Sequence, residues 1–376
     1  MSMKIITYQY VGTAEDDFQF SRIELKQINM FVGESGSGKT KLLNTIFNMG
    51  HRLHTDGRVG PGGWDLTCES EGTTYRWQYR CLPDSTVETE SIECLHADGK
   101  VEDVARRSPK EITFQGARVP KLASDTSLIA LLKEEDRIAP LFRGLGLVVR
   151  RNFFSAELEK AATYSNIPKA LGDELAAKAD IKSLTVDMSL NIRLYALKEA
   201  RPEKYKEICR YFQSIFPAIE SCDVANFTTV YPSGNIQVAG KVPVFCVRES
   251  GVNRAIGLHE LSSGMQKVLL LMTDIMTSPP GYLYLLDEYE NSLGVNAIHF
   301  LPDFLAEHGA NAQFIVTTHH PYLINAIPVS DWYVFRRKGT QVTIRYGEEL
   351  RSRFSSSRQK AFIQLLNDPI YTGAEQ

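Results

Sequence analysis

Residues 33–40 read Gly33-Glu34-Ser35-Gly36-Ser37-Gly38-Lys39-Thr40, an unbroken G-x-x-x-x-G-K-[ST] phosphate-binding loop, and no other stretch restricts the fold so strongly. The apolar run Ile28, Met30, Phe31, Val32 ahead of it predicts a buried strand. Leu42, Leu43, Ile46 and Phe47 behind it repeat at helical spacing. Glycines at 33, 36 and 38 allow a turn in which successive N–H groups and a helix N-terminus face a phosphate chain. In such a loop Lys39 would reach the β and γ phosphates, and the Thr40 hydroxyl would hold Mg²⁺.

With 376 residues, 43% of them hydrophobic, the chain can bury a sizeable core. A net charge of −3 gives no global attraction to nucleic acid or an anionic membrane. The six cysteines form no C-x-x-C pair and have no histidine partners at metal-ligand spacing, so they read as buried free thiols. No apolar run approaches a membrane span, and the opening residues lack a signal core; the expectation is a cytoplasmic protein without a membrane partner.

Ile5 to Tyr10 and Phe18 to Leu25 predict a hairpin around Glu15, Asp16 and Asp17. The helix after Lys39 is expected to stop near Gly50, and Gly57 to Gly63 to form a loop. Three short strands, Thr73 to Cys81, Val87 to Leu95 and Glu111 to Val119, predict an antiparallel subdomain. Helical periodicity runs through Leu128 to Phe142, Glu157 to Lys178 and Arg193 to Phe216, and strands return near Thr228 to Val247. Ser262 stands as N-cap of an apolar helix that ends before Pro279-Pro280. Tyr282 to Leu286 predicts a buried strand ending in Asp287-Glu288, and Phe314 to Thr318 one ending in His319. Trp332 to Arg337 and Gln341 to Tyr346 predict a hairpin, and Phe362 to Leu366 a last helix.

A strand that delivers two adjacent carboxylates opposite a phosphate loop is what phosphoryl transfer to water needs. Asp287 would order the Mg²⁺ shell, and Glu288 would polarise the attacking water. The order of phosphate loop, Leu261-Ser262-Ser263-Gly264-Met265-Gln266, Asp287-Glu288 and His319 resembles the ATP-binding-cassette ATPases of the branch containing the SMC, RecF and OLD-type proteins. The resemblance implies an α/β ATP-binding-cassette P-loop head with an antiparallel β subdomain and an inserted helical lobe. The expected layout is one discontinuous domain over 1–376. Residues 1–125 would form the nucleotide core and β subdomain, 126–250 the helical lobe ending in strands, and 251–376 the remaining motifs with the terminal hairpin and helix.

From the same resemblance, Ser262 and Gly264 cap the γ-phosphate held by another subunit, and His319 is the switch histidine. Tyr289-Glu290-Asn291-Ser292-Leu293-Gly294 takes the place of the D-loop, with Gly294 where the family has aspartate. The Q-loop glutamine has no evident counterpart. Gln115-Gly116 reads as a hairpin turn, which leaves Asp125-Thr126-Ser127 as the place to look.

The resemblance implies an ATPase that pairs in ATP-sandwich dimers and controls a separate effector protein, as the stand-alone ATPases of anti-phage modules of the Septu and PARIS type do. A RecF- or SMC-like ATPase acting on DNA is the alternative. It would draw on Arg150-Arg151, Arg336-Arg337-Lys338, Arg351 and Arg353.

Overall fold

The computed structural model describes all residues except 1, 14–16, 121, 153–154, 179–180, 182, 233–239, 291–292, 294, 309, 351–363 and 365–376. The described residues divide into two compact units. One lies within Met1–Arg151, Pro279–Tyr289 and Leu305–Gln376, the other within Asn152–Ser278 and Glu290–Phe304.

The first unit opens with β1 (Met3–Val11), β2 (Gln19–Phe20), β3 (Ile23–Glu24) and β4 (Ile28–Val32), followed by α1 (Lys39–Thr55). The expected hairpin is present, with its return arm split in two at Ser21-Arg22; part of its turn lies outside the described residues. Helix α1 does not stop at Gly50. A Cβ at that position would lie 2.4 Å from the carbonyl oxygen of Leu145, so this glycine serves a close helix contact inside α1 rather than ending it.

An antiparallel run follows: β5 (Gly62–Ser70), β6 (Thr73–Cys81), β7 (Val87–Leu95), β8 (Val101–Arg107), β9 (Ile112–Phe114) and β10 (Ala117–Arg118). In β6 the alternation of Tyr75, Trp77, Tyr79 and Cys81 with polar residues turns four large or apolar side chains into the core, as a sheet with one wet face requires. The single strand expected over 111–119 is a hairpin. Gln115 and Gly116 turn with φ of 50° and 76°, the left-handed pair of a tight two-residue turn. Two short helices, α2 (Leu128–Leu131) and α3 (Ala139–Leu145), lead to β11 (Val148–Arg151).

The second unit holds α4 (Ser155–Ala162), α5 (Lys169–Ala176), α6 (Leu190–Ala200) and α7 (Pro202–Ile215). The two long helices expected here are each interrupted beside a proline: Pro168 precedes α5 and Pro202 opens α7, where a missing N–H costs nothing. A small antiparallel sheet joins β12 (Ile219–Asn226), β13 (Pro243–Glu249) and β14 (Ile256–Gly257). Thr228 itself lies in the short helix α8 (Phe227–Val230) rather than in a strand. Then comes α9 (Ser263–Thr277), anchored to α6 by a buried ion pair in which Arg193 Nη1 donates to Asp274 Oδ1 at 2.6 Å.

The chain continues through β15 (Tyr282–Leu286), α10 (Val295–His308), β16 (Ala312–Thr317), α11 (Pro321–Ala326), β17 (Trp332–Lys338) and β18 (Gln341–Tyr346). In the first unit the strands form one sheet in the order β10-β9-β8-β7-β6-β5-β1-β2-β18-β17-β4-β16-β15-β11, with β3 paired to β1. From β17 to β11 all neighbours are parallel, and β15 and β16 are almost wholly buried, as strands covered on both faces should be. The buried side chain of Gln313 on β16 exchanges two 2.9 Å hydrogen bonds with the backbone of Ile5, tying the parallel strands to β1. The C-terminal helix expected at 362–366 lies outside the described residues apart from Gln364.

Candidate functional site

In an open parallel sheet, loops leaving the carboxyl ends of neighbouring strands share one edge. Here β4 ends at Gly33, β16 leads to His319, β15 ends at Asp287-Glu288 and β11 ends at Arg151, and the four strands are consecutive and parallel. Sequence-distant residues are thereby brought to one place.

The phosphate loop turns through Gly33, Gly36 and Gly38 with φ of 155°, 79° and 101°. A Cβ on Gly33 would lie 2.7 Å from the carbonyl of Phe335, so the loop runs too close to β17 for any side chain there. Gly38 is the N-cap of α1 and, having no side chain, does not cap the first turn of this 17-residue helix. Buried Lys39 donates from Nζ to the carbonyls of Gly33 and Glu34, at 2.8 and 2.9 Å, and to Ser37 Oγ at 3.2 Å. Its ammonium is thus held across the mouth of the loop.

Asp287, only 5% exposed, is the centre of the polar contacts. Its Oδ1 accepts from Thr40 Oγ1 at 3.0 Å and from Thr317 Oγ1 at 2.8 Å, and its Oδ2 accepts from Arg150 Nη2 at 3.0 Å. Thr317 Oγ1 in turn accepts from the backbone N–H of Glu288 at 2.8 Å. Glu288 takes a left-handed φ of 43°, uncommon for a residue with a side chain, and its side chain is exposed. His319 is half-buried just past β16, and His320 caps α11 by accepting from the N–H of Tyr322 at 3.3 Å. A hydroxyl and a carboxylate oxygen converging from a phosphate loop and an acidic strand end are a donor set that suits Mg²⁺. The uncapped helix and the glycine turns suit the phosphates of a nucleotide.

Two contributors escaped the sequence reading. Arg150, at the carboxyl end of β11, donates to Asp287, whereas Ser127, in the segment where the Q-loop residue was expected, is buried, caps α2 and donates to Glu90 at 2.5 Å. Arg337 donates to the carbonyl of Gly36 at 3.1 Å and stacks over Phe18 at 4.6 Å, so the hairpin β17–β18 supports the phosphate loop. The only sequence signal was that each belongs to a basic run.

In the second unit, Ser262 is the N-cap of α9, and its Oγ accepts from Met265 N at 3.3 Å. Gly264 is buried in the first turn, and Gln266 Nε2 donates to the carbonyl of Leu261 at 2.9 Å. Just ahead, His259 Nδ1 meets the hydroxyls of Tyr164 and Tyr231, and Tyr231 reaches Glu260 at 3.2 Å. In the segment expected as D-loop, Tyr289 is buried and Leu293 donates to the Glu290 carbonyl at 3.0 Å; Asn291, Ser292 and Gly294 lie outside the described residues. All six cysteines are free. No helix among the described residues is long and apolar enough to cross a membrane.

The phosphate loop and the parallel strand ends beside it have counterparts among known proteins. The AAA_21 family, described as "AAA domain, putative AbiEii toxin, Type IV TA system", matches residues 144–325, which take in Leu261–Gln266, Asp287-Glu288 and His319. Among solved structures, an SmcHead bound to the C-winged helix domain of ScpA superposes with a TM-score of 0.50 at 12% identity, over 91% of this chain and 97% of that one. The SMC head domain from Thermotoga maritima gives 0.41 at 16% identity, over 92% and 99%. An Smc head domain with an extended coiled coil, bound to the C-terminal domain of ScpA and derived from Pyrococcus furiosus, gives 0.49 at 11%, over 93% and 98%. No curated protein matches the chain. The first of these likenesses shows that the chain has the α/β fold of an SMC head.

Proposed function

We propose that this protein binds and hydrolyses ATP, pairs with a second copy of itself around the nucleotide, and uses that state to control a separate effector protein in the cytoplasm. The observation that carries the reading is the double grip on Asp287 Oδ1 by Thr40 and Thr317, which joins the phosphate loop to two strand ends. Thr40 and Asp287 would hold Mg²⁺, which when bound neutralises charge on the β and γ phosphates. Lys39 would exchange its contacts with Gly33 and Glu34 for phosphate oxygens. Glu288, exposed and fixed through its own N–H, would take a proton from the attacking water, with His319 from the adjacent strand as the γ-phosphate sensor.

Ser262 and Gly264 would complete the site of the partner copy. That arrangement follows from the resemblance to the cassette family and gives a helix cap a second use. An effector in anti-phage defence follows from the resemblance to stand-alone ATPases of such modules alone. The SMC-head fold fits a second reading equally, a RecF- or SMC-like ATPase, whose action on DNA follows from the resemblance alone. Against it, Arg150 and Arg151 are engaged or buried inside the first unit, and Arg337 is bound to Gly36. Arg351 and Arg353 lie outside the described residues.

Calorimetry with Mg·ATP and a phosphate-release assay test the core of the reading. The wild-type chain should bind and turn over ATP, and Lys39→Ala should lose both. Turnover that survives in Lys39→Ala would refute it. Hydrolysis stimulated by DNA, with a steep salt dependence, would favour the second reading.

A further inference from the structure

The two oxygens of Asp287 are held by different kinds of donor. Oδ1 takes the neutral hydroxyls of Thr40 and Thr317, whereas Oδ2 takes a cation, Arg150. The strand register builds that contact. β11 and β15 run parallel with Arg150 opposite Leu285, and just beyond them the Asp287 N–H donates to the Arg151 carbonyl at 3.0 Å. Residues two apart share a face of a strand, so Asp287 emerges on the side of Leu285 and of Arg150. Arg150 Nη2 stands 3.0 Å from Asp287 Oδ2, and the two side chains are only 18% and 7% exposed. Salt screens so sheltered a pair weakly.

This pairing bears on the metal. Asp287 and the exposed Glu288 bring two negative charges to the end of β15. Arg150 opposes them, and so does Lys39, held across the mouth of the phosphate loop. A free Mg²⁺ gains little in such a place. Asp287, the buried carboxylate it would address, is already neutralised, and a guanidinium a few ångströms away repels a dication. A nucleotide reverses the balance, because its phosphates carry both negative charge and oxygens for the metal. A neutral amide at position 150 could orient Asp287 as well as a guanidinium does. What Arg150 adds is charge.

We propose that Arg150 is a positioning residue that keeps Asp287 from holding a divalent cation by itself, so that the metal enters this site only together with its nucleotide. The proposal rests on the ATPase reading of the site and specifies the order in which its ligands assemble. Mn²⁺, which suits the same oxygen ligands as Mg²⁺ and is read directly by EPR, is titrated into the full chain without nucleotide and again with a non-hydrolysable ATP analogue. Arg150→Gln and Arg150→Met, their folding checked by circular dichroism, remove the charge; Arg150→Lys keeps it. Without nucleotide, the neutral variants should bind Mn²⁺ at least about tenfold more tightly than wild type, and Arg150→Lys should stay near wild type. Adding Asp287→Asn to Arg150→Gln should abolish the gained affinity, which assigns the new ion to Asp287. With the analogue present, wild type should bind Mn²⁺ as well. A nucleotide-free affinity in wild type equal to that of a folded neutral variant would overturn the proposal and leave the ATPase reading standing. A gain that survives Asp287→Asn would overturn it too. No Mn²⁺ bound by wild type even with the analogue would overturn the ATPase reading itself, and the proposal with it.

Discussion

The two units treat the N-terminus of their principal helix in opposite ways. Helix α1 begins at Gly38 with no side-chain cap, whereas α9 begins at Ser262, whose Oγ is engaged by Met265 N. The uncapped helix is surrounded by long-range contacts, with Thr40, Asp287 and Thr317 meeting across 247 and 30 residues of chain. The capped helix needs only its own first turn. A site that gathers residues from four strand ends is built for a ligand. A motif satisfied by its own helix reveals a function only through what it is presented to, which is why the shared-site reading rests on it.

The largest expected effect separates binding from chemistry in the first unit. Glu288→Gln should keep ATP affinity by calorimetry and lose about 10²–10⁴-fold in turnover, since in the proposed mechanism it removes only the proton acceptor. A matching loss of affinity would show that Glu288 helps hold nucleotide instead. In the second unit, Arg193→Met removes one partner of the buried pair with Asp274 and should cost about 3–5 kcal/mol in denaturant unfolding of that unit. Nucleotide affinity should stay close to wild type; a parallel loss would break the contrast between the units.

Thr317→Val sharpens the first half of the comparison. It deletes the hydroxyl that serves both Asp287 and the Glu288 N–H, and turnover should fall about ten- to hundredfold with the strand itself intact. Unchanged turnover would reduce Thr317 to packing. The smallest effect is that of Ser262→Ala, which should cost about 1 kcal/mol of stability as a lost cap. If Ser262 is only a cap, turnover per folded molecule stays at the wild-type value. If it also serves a partner's nucleotide, turnover falls further than the stability loss explains.

What was legible in the sequence was local. The phosphate loop, the buried strands leading to Asp287 and His319, the Ser262 cap and the Gln115-Gly116 turn all announce themselves within a few residues. What was hidden depends on distant neighbours. Gly50 looked like a helix stop because the carbonyl of Leu145 that demands a glycine there is 95 residues away by numbering (145 − 50). Arg150 and Arg337 looked like surface charge because nothing nearby in sequence shows that they bind Asp287 and Gly36. The helix breaks at Pro168 and Pro202 were visible in principle, yet apolar periodicity continued past both.

The central claim is that the phosphate loop of one copy and Ser262 of another make one site. Lys39→Ala spoils the first contribution and Ser262→Arg the second, so each variant alone should be inactive. A mixed dimer places both lesions in one site and leaves the other whole. After subunit exchange, an equal mixture should regain roughly a quarter of wild-type ATP turnover, since half of the dimers are mixed and each has one intact site. An ATP-dependent crosslink between cysteines placed at Ser37 of one copy and Gly264 of the other should accompany it. Demonstrated exchange with neither recovered turnover nor that crosslink would contradict the shared site and leave Ser262 as the cap of its own helix.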